Sequence, residues 1–192
     1  MRYPADHKQR TSERIIRAAA GLFRKHGYTA TGVDAVMASS DLTAGAFYAH
    51  FRSKEHLLAE ALDAAFRQSR SHWSELLKGL RGGPWVREFA SFYLSRGHRD
   101  APDRGCPMPV LAPEIRRTRG AARAVFERHL RGLIDTVGKQ VDAASPDRDR
   151  AISAIALCVG GLMLARAVRD SAFSDEILNA CRDAVVEENP HA

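Results

Sequence analysis

A chain of 192 residues, 45% hydrophobic and 27% charged, can build one core or two small ones and is not of disordered composition. Three cysteines make no disulfide framework and suit a reducing compartment. Met1 to His7 hold no apolar core of the signal-peptide kind, and the longest uncharged stretch, Ala151 to Ala165, reads as a buried helix rather than a membrane span, so a cytoplasmic chain with no membrane partner is expected.

The net charge of +6 is unevenly spread. Residues 1–56 hold nine Lys and Arg against five Asp and Glu, with four of the eight histidines, whereas the remainder holds twenty against eighteen. A basic N-terminal third points to an anionic partner for that third; a solvated basic face would give the same count.

No sustained two-residue alternation suggests a strand, and helical spacing recurs throughout, so the expected class is all-α. Ile15, Ala19, Leu22 and Phe23 share one face of a first helix that Gly27 ends. Thr31-Gly32-Val33-Asp34 resembles a capping box with Asp for Glu and opens a helix of two turns. Ser39 to Leu42 interrupt it, and Thr43 caps a second short helix from Ala44 to about Ala49. Two short helices around a tight turn, in a basic segment braced by an amphipathic helix, describe a helix-turn-helix. Its second helix would enter the major groove, with Thr43 and the first N–H groups facing a phosphate oxygen.

A long helix follows from a Ser53 cap, with Leu58, Leu62, Phe66, Trp73, Leu76 and Leu80 on one face, to a break at Arg81-Gly82-Gly83-Pro84. Trp85, Phe89, Phe92 and Tyr93 make the next helix. Pro107 suits a first helical position, which makes Cys106 an N-cap, while Pro113 kinks that helix or begins another. Phe126, Leu130, Leu133, Val137 and Val141 run to Ser145-Pro146; Ile152, Ile155, Val159 and Met163 mark a further helix; Ile177, Cys181, Ala184 and Val185 follow a Ser174 cap. A boundary near residue 52 separates an N-terminal three-helix helix-turn-helix domain, 1–52, from a larger helical domain, 53–192.

The run from Arg14 to Leu58, with Ala18-Ala19, Leu22-Phe23, Gly27-Tyr28-Thr29-Ala30-Thr31, Val33, Phe47-Tyr48, His50-Phe51 and Ser53-Lys54-Glu55, resembles the DNA-binding region of TetR-family repressors. The layout of the rest resembles the family's ligand-binding and dimerisation domain, and Gly105-Cys106-Pro107 with Leu111-x-x-Glu114 resembles members that carry a Gly-Cys-Pro segment. The resemblance implies phosphate contacts from Thr31, Tyr48, His50 and Lys54 and from the Gly32 amide. Two positions depart from the family pattern. Asp41 stands where glycine is usual in the turn, and it tolerates a left-handed backbone better than most residues. Ala44, Gly45, Ala46 and Ala49 stand where larger polar side chains often read bases. Alanine offers only a methyl to thymine, so sequence reading would rest on close backbone approach, Thr43 and DNA shape.

Outside the reader, Trp73, Phe89, Phe92, Tyr93, Phe126 and Met163 could line a ligand cavity, though helical spacing assigns the same residues to an ordinary core. Cys106 is either a reactive thiol, its pKa lowered by a helix end and by Arg104, or a small residue in a tight loop. Arg2, Lys8 and Arg10 form an arm near the phosphates or a solvated tail. Gly160-Gly161, between apolar faces at 152–167 and 177–185, permits close helix approach in a two-fold dimer. No histidine shows metal-ligand spacing, and no Walker loop, dinucleotide fingerprint or nucleophile elbow occurs, so no metal and no cofactor are expected. These observations converge on a homodimeric transcriptional regulator, a repressor released from a near-palindromic double-stranded operator by a small-molecule or electrophile inducer. The rival is a thiol-dependent helical enzyme using Cys106.

Overall fold

A computed structural model describes residues 5–118, 120–141 and 147–187, and among these the chain is helical with no strand. Arg2 and the Ser145-Pro146 stop lie outside the described residues. Two compact units emerge, one of residues 1–68 with 102–127, the other of 69–101 with 128–192. The segment 102–127 thus joins the N-terminal unit, a grouping that a single boundary near residue 52 does not express.

In the first unit, α1 (Ala5–His26) buries Ile15, Ala19 and Phe23. Lys8 and Arg10 lie within this helix, so they are not a separate arm. The helix ends where Gly27 takes φ +85, a left-handed conformation that favours glycine, and its N–H closes on the Phe23 carbonyl at 2.9 Å. Next comes α2 (Val33–Ala38), capped by Gly32 in extended conformation. The expected capping box is not formed: the Thr31 hydroxyl donates to the Gly27 carbonyl at 2.7 Å instead. The turn after α2 puts Asp41 at φ 51, the left-handed position at which glycine would be unstrained.

Residues Ala44–Ala49 form a 3-10 helix rather than the expected α-helix. Fewer than two turns are available, Thr43 makes no side-chain cap, and bonds such as Ala46 N–H to the Thr43 carbonyl, 3.0 Å, span three residues. Short, uncapped segments commonly take this tighter geometry. Phe47 and Phe51 anchor it, buried and 5.7 Å apart between ring centres. Helix α3 (Lys54–Leu76) then starts as expected from Ser53, whose hydroxyl accepts the His56 N–H at 3.0 Å. His56 Nδ1 accepts the Arg52 N–H in return, at 3.3 Å, a reciprocal cap with histidine in the usual Glu position.

The second unit takes the end of α3, then α4 (Gly82–Tyr93) and the short α5 (Arg96–Asp100). The chain next supplies α6 (Met108–Ile115) and the start of α7 (Ala121–Val141) to the first unit. The end of α7, α8 (Arg148–Ala167) and α9 (Ser171–Glu187) complete the second. Asp170, not Ser174, caps α9, accepting the Phe173 N–H at 2.7 Å. Ser174 lies inside the helix and donates to the Ala165 carbonyl at 2.7 Å. Helices α8 and α9 meet at Gly161, where a Cβ would fall 2.7 Å from Cys181 Sγ and 3.1 Å from a Leu94 methyl, so only glycine fits without displacing a neighbour. Around Gly160 a Cβ would meet nothing within 4 Å.

Helix α8 does not bury one stripe. Ile155, Cys158 and Leu162 are buried, whereas Ile152, Met163 and Leu164 are exposed by about half, as is Phe173 of α9. It is the one helix among the described residues that is long and apolar enough to cross a membrane, and its packing against α4, α5 and α9 uses only part of that apolar surface.

His98, buried against the rings of Phe92 and Tyr93, donates from Nδ1 to the Tyr93 carbonyl at 2.8 Å. Burial pushes its imidazole down to about 4, with Arg166 and His72 adding repulsion, against the bond to Tyr93. Between that value and the unfolded one near 6.5 the unfolded chain binds more protons. The stability associated with neutral His98 is therefore present above pH 6.5 and is lost as pH falls towards 4. We expect urea unfolding to show about 2 kcal/mol less stability at pH 5 than at pH 7 from this group. His98→Asn, which keeps a donor and cannot be protonated, should lose that much less; an equal loss in both proteins would refute the assignment.

Candidate nucleic-acid interface

The reader surface is built from the turn before α2 and from the 3-10 helix. Gly32, Thr43, Ala44 and Gly45 are exposed, Ala46 is half-buried, and Tyr48 is 77% exposed. Nothing within 4 Å crowds a Cβ placed on Gly32 or Gly45, so packing within the chain does not require glycine at either position. The Tyr48 ring is held edge-on against Phe47 at 5.2 Å, which directs its hydroxyl outward from a fixed base. An exposed ring of this size has no packing reason to stand in water.

Thr31 does not belong to that surface. It is 3% exposed and its hydroxyl is spent on Gly27, so the side-chain phosphate contact implied by resemblance is replaced by a structural role. His50 is half-buried, with Nδ1 enclosed and without a hydrogen-bond partner among the described residues. Burial lowers its pKa, and the neighbouring charges of Lys8 and His7 lower it further. Lys8 and His7 thus place positive potential beside His50, where the first turns of α1 meet the end of the 3-10 helix. An approaching phosphate would reverse that bias and favour protonated His50.

Lys54 sits over the Tyr28 ring, Nζ 4.3 Å from its centre, a cation–π contact that fixes a flexible side chain. Burial lowers its pKa while Glu114 opposes the shift. Glu114 is the residue around which this region is organised. From α6 its carboxylate accepts the N–H groups of Tyr28, 2.6 Å, and Thr29, 2.9 Å, in the segment between α1 and α2. Burial pushes its carboxyl up, but the bonds from Thr29 and Tyr28 and the charge of Lys54 prevail and hold it below its ordinary value. A Cβ on Gly27 would lie 3.1 Å from the same carboxylate, a second reason for glycine there.

A second tie was not signalled by the sequence. Arg24, on α1 and 3% exposed, donates to the Ala20 carbonyl at 2.9 Å, the Gly105 carbonyl at 3.1 Å and Gln68 Oε1 at 2.9 Å. Burial lowers its pKa, against the raising influence of Asp103 and Cys106. The cation near Cys106 is therefore Arg24; Arg104 is largely exposed and leans towards Asp103. Cys106 is 5% exposed, and Pro107 rather than Cys106 is the N-cap of α6, so the thiol has neither the capping position nor the access expected of it.

The other expected ligand residues separate. Trp73, Phe89, Phe92, Tyr93 and Met163 lie in the second unit and Cys106 and Phe126 in the first. Phe126 packs edge-on against Phe66 at 5.9 Å, and Phe92 stacks on His98 at 5.7 Å. Phe89 and Tyr93 are core, while Met163, 43% exposed, lies on the outer face of α8 instead of a cavity wall.

Comparison with known proteins agrees with this geometry. Residues 15–61 match the family model of bacterial regulatory proteins, tetR family. An uncharacterized HTH-type transcriptional regulator of Bacillus subtilis (strain 168), YerO, is 36% identical over 72 residues, which are 38% of this chain. The match spans 25% of that relative's length. A solved TetR transcriptional regulator from Chloroflexus aurantiacus J-10-FL is 25% identical with a TM-score of 0.79, over 95% of this chain and 97% of that one. The reduced form of Escherichia coli NemR, 20% identical, has a TM-score of 0.77 over 91% of this chain and 94% of its own. A TetR-family regulator from Agrobacterium tumefaciens, 19% identical, reaches 0.80 over 95% and 98%. These last two share the fold.

Removing the Glu114 acceptor tests the tie. Glu114→Ala should destabilise the N-terminal unit by about 1–3 kcal/mol, because two N–H groups lose their partner, whereas Glu114→Gln, which keeps an acceptor oxygen, should cost less. Amide exchange at Tyr28 and Thr29 reads this directly. Unchanged protection in Glu114→Ala would show that the carboxylate is not what closes this turn.

Proposed function

We propose that this chain, which carries a tetR-family helix-turn-helix DNA-binding domain at residues 15–61, is a homodimeric, ligand-responsive repressor of transcription. The observation that carries the reading is the exposed set Thr43, Ala44, Gly45 and Tyr48, presented on buried Phe47 and flanked by Lys54. Small residues at Ala44, Gly45 and Ala46 let the backbone approach the major groove, while Tyr48, Lys54, His50 and the Gly32 amide set register on phosphates. Phosphate contacts supply affinity, and the alanine methyls and groove shape supply what sequence preference there is.

The dimer reading is supported by the outer apolar face of α8 and α9, formed by Ile152, Met163, Leu164 and Phe173 around the open side of Gly160. An apolar face of this kind on two adjacent helices suits a self-complementary four-helix contact. Two readers related by a two-fold axis would address half-sites about 34 Å apart on a near-palindromic operator. An inducer would release DNA to the extent that it binds the non-reading conformation better. A thiol-dependent enzyme fits less well: Cys106 is enclosed, which closes the thiol to a substrate.

Gel shift on DNA upstream of the chain's own gene tests the reading, and absence of a salt-sensitive complex would overturn it. Lys54→Ala should weaken binding to all sequences alike and reduce the salt slope by about one unit. A changed base preference at unchanged slope would remove Lys54 from the phosphate contacts. For assembly, Met163→Glu should convert a dimer at micromolar concentration to a monomer in sedimentation, since it places a charge in an apolar contact. A wild-type monomer would refute the proposed face.

A further inference from the structure

We propose that a cleft in the second unit, formed by the end of α3, the start of α4 and the last turns of α7, binds a small aromatic anion. The cleft holds about 510 Å³, within the range of small-molecule sites. Its apolar corner is made by Trp73 and Trp85, ring centres 6.3 Å apart and nearly perpendicular at 75°. Phe89 braces the corner from behind, stacked on Trp85 at 5.1 Å and edge-on to Trp73 at 5.5 Å. A planar ring entering such a corner meets one indole face-on and the other edge-on, the two arrangements aromatic pairs prefer.

The rest of the lining selects charge. Arg70, Lys78 and Arg81 face the cleft, and no acidic residue is among the described residues that line it. Gly132 makes room for Arg70, whose Nη2 would lie 3.3 Å from a Cβ there. Arg81 donates from one end of its fork to the Leu80 carbonyl at 2.7 Å, which holds the guanidinium at the mouth. Lys78 meets Glu75 at 3.4 Å, with both groups largely exposed, a pair too screened to cancel the cation. One turn along α7 from Gly132, Thr136 donates to the Gly132 carbonyl at 2.7 Å. A further turn on, Gln140 accepts the Gly82 N–H through Oε1 at 3.3 Å, which leaves its amide nitrogen as a donor for an oxyanion.

Aromatic walls with three cations and an amide donor suit one ring system bearing a carboxylate, sulfonate or phosphate, and disfavour a cationic or neutral ligand of equal size. The proposal deepens the ligand-responsive reading above by naming the ligand class. Its test uses no DNA, so its failure and the failure of DNA binding are told apart.

The chain has two tryptophans, and both line the cleft, so intrinsic fluorescence reports on this site alone. The full chain would be titrated with 1-naphthoate, with 1-naphthalenemethanol as the neutral isostere and 1-naphthylmethylammonium as the cation. The expected result is saturable quenching by naphthoate, with both other probes at least about tenfold weaker. Arg70→Gln/Arg81→Gln should weaken naphthoate about tenfold and leave the neutral probe unchanged. The single Arg81→Gln, at an exposed position, covers the case in which the double variant loses its helical circular dichroism. Equal affinity for the neutral probe, non-saturating quenching, or full naphthoate affinity in the folded arginine variants would each overturn the proposal.

Discussion

The Glu114 carboxylate supplies, from a helix more than eighty residues away in sequence, the acceptors that the turn after α1 lacks. Helix α1 stops at Gly27, and the next two N–H groups, of Tyr28 and Thr29, both point to that carboxylate. Without an acceptor they would be left to solvent, and the entry to the helix-turn-helix would not be fixed. The same carboxylate opposes the burial-driven fall of the Lys54 pKa, and Lys54 in turn lies on the Tyr28 ring. Turn, Lys54 and α6 thus share one charged atom group. Arg24 ties the other side of the segment 102–127 to α1 through the Gly105 carbonyl. The unit containing the reader is therefore not a free-standing three-helix domain, because part of its hydrogen bonding is supplied from that later segment.

That arrangement makes sense of the weak recognition segment. Six residues in a 3-10 helix with no side-chain cap have little stability of their own. Phe47 and Phe51 hold the segment from beneath, and the turn before it accepts a left-handed Asp41, which costs about 1–2 kcal/mol in a residue without compensating local bonds. Such a reader keeps its position through the surrounding packing. In the proposed complex its alanines and glycine would let the backbone lie closer to the bases than long side chains would.

Much of this was legible in the residues. The buried face of α1, the Gly27 stop, the Ser53 cap and the helical class follow from spacing and capping chemistry, which act over a few residues. The Leu111-x-x-Glu114 pattern also marked the residue that proved central, though not its partners. What stayed hidden depends on contacts between distant segments. Thr31 reads equally well as a cap or a phosphate ligand until its neighbour Gly27 takes its hydroxyl. Arg24 reads as an ordinary surface cation on a basic helix end. Met163 shares a helical stripe with Ile155, yet the two face opposite environments, because α8 is apolar all round and periodicity cannot say which side is covered. Trp85 reads from spacing only as part of an aromatic helix face and Arg81 only as part of a helix break, and it is the fold that brings both to one cleft with Trp73 and Arg70.

The adjacent glycines of α8 stand in opposite surroundings. Gly161 is closed off by Cys181 and Leu94, so its lack of a side chain sets how closely α8 and α9 pack within one chain. Gly160, about 100° further round the helix, is open. Glycine in a helix interior costs about 1 kcal/mol relative to alanine, and no packing among the described residues requires it at Gly160. In the dimer we propose, a helix of the second copy would approach this bare backbone among Ile152, Met163 and Leu164. On that proposal the same pair of residues aligns α8 with α9 and presents the aligned pair to the second copy.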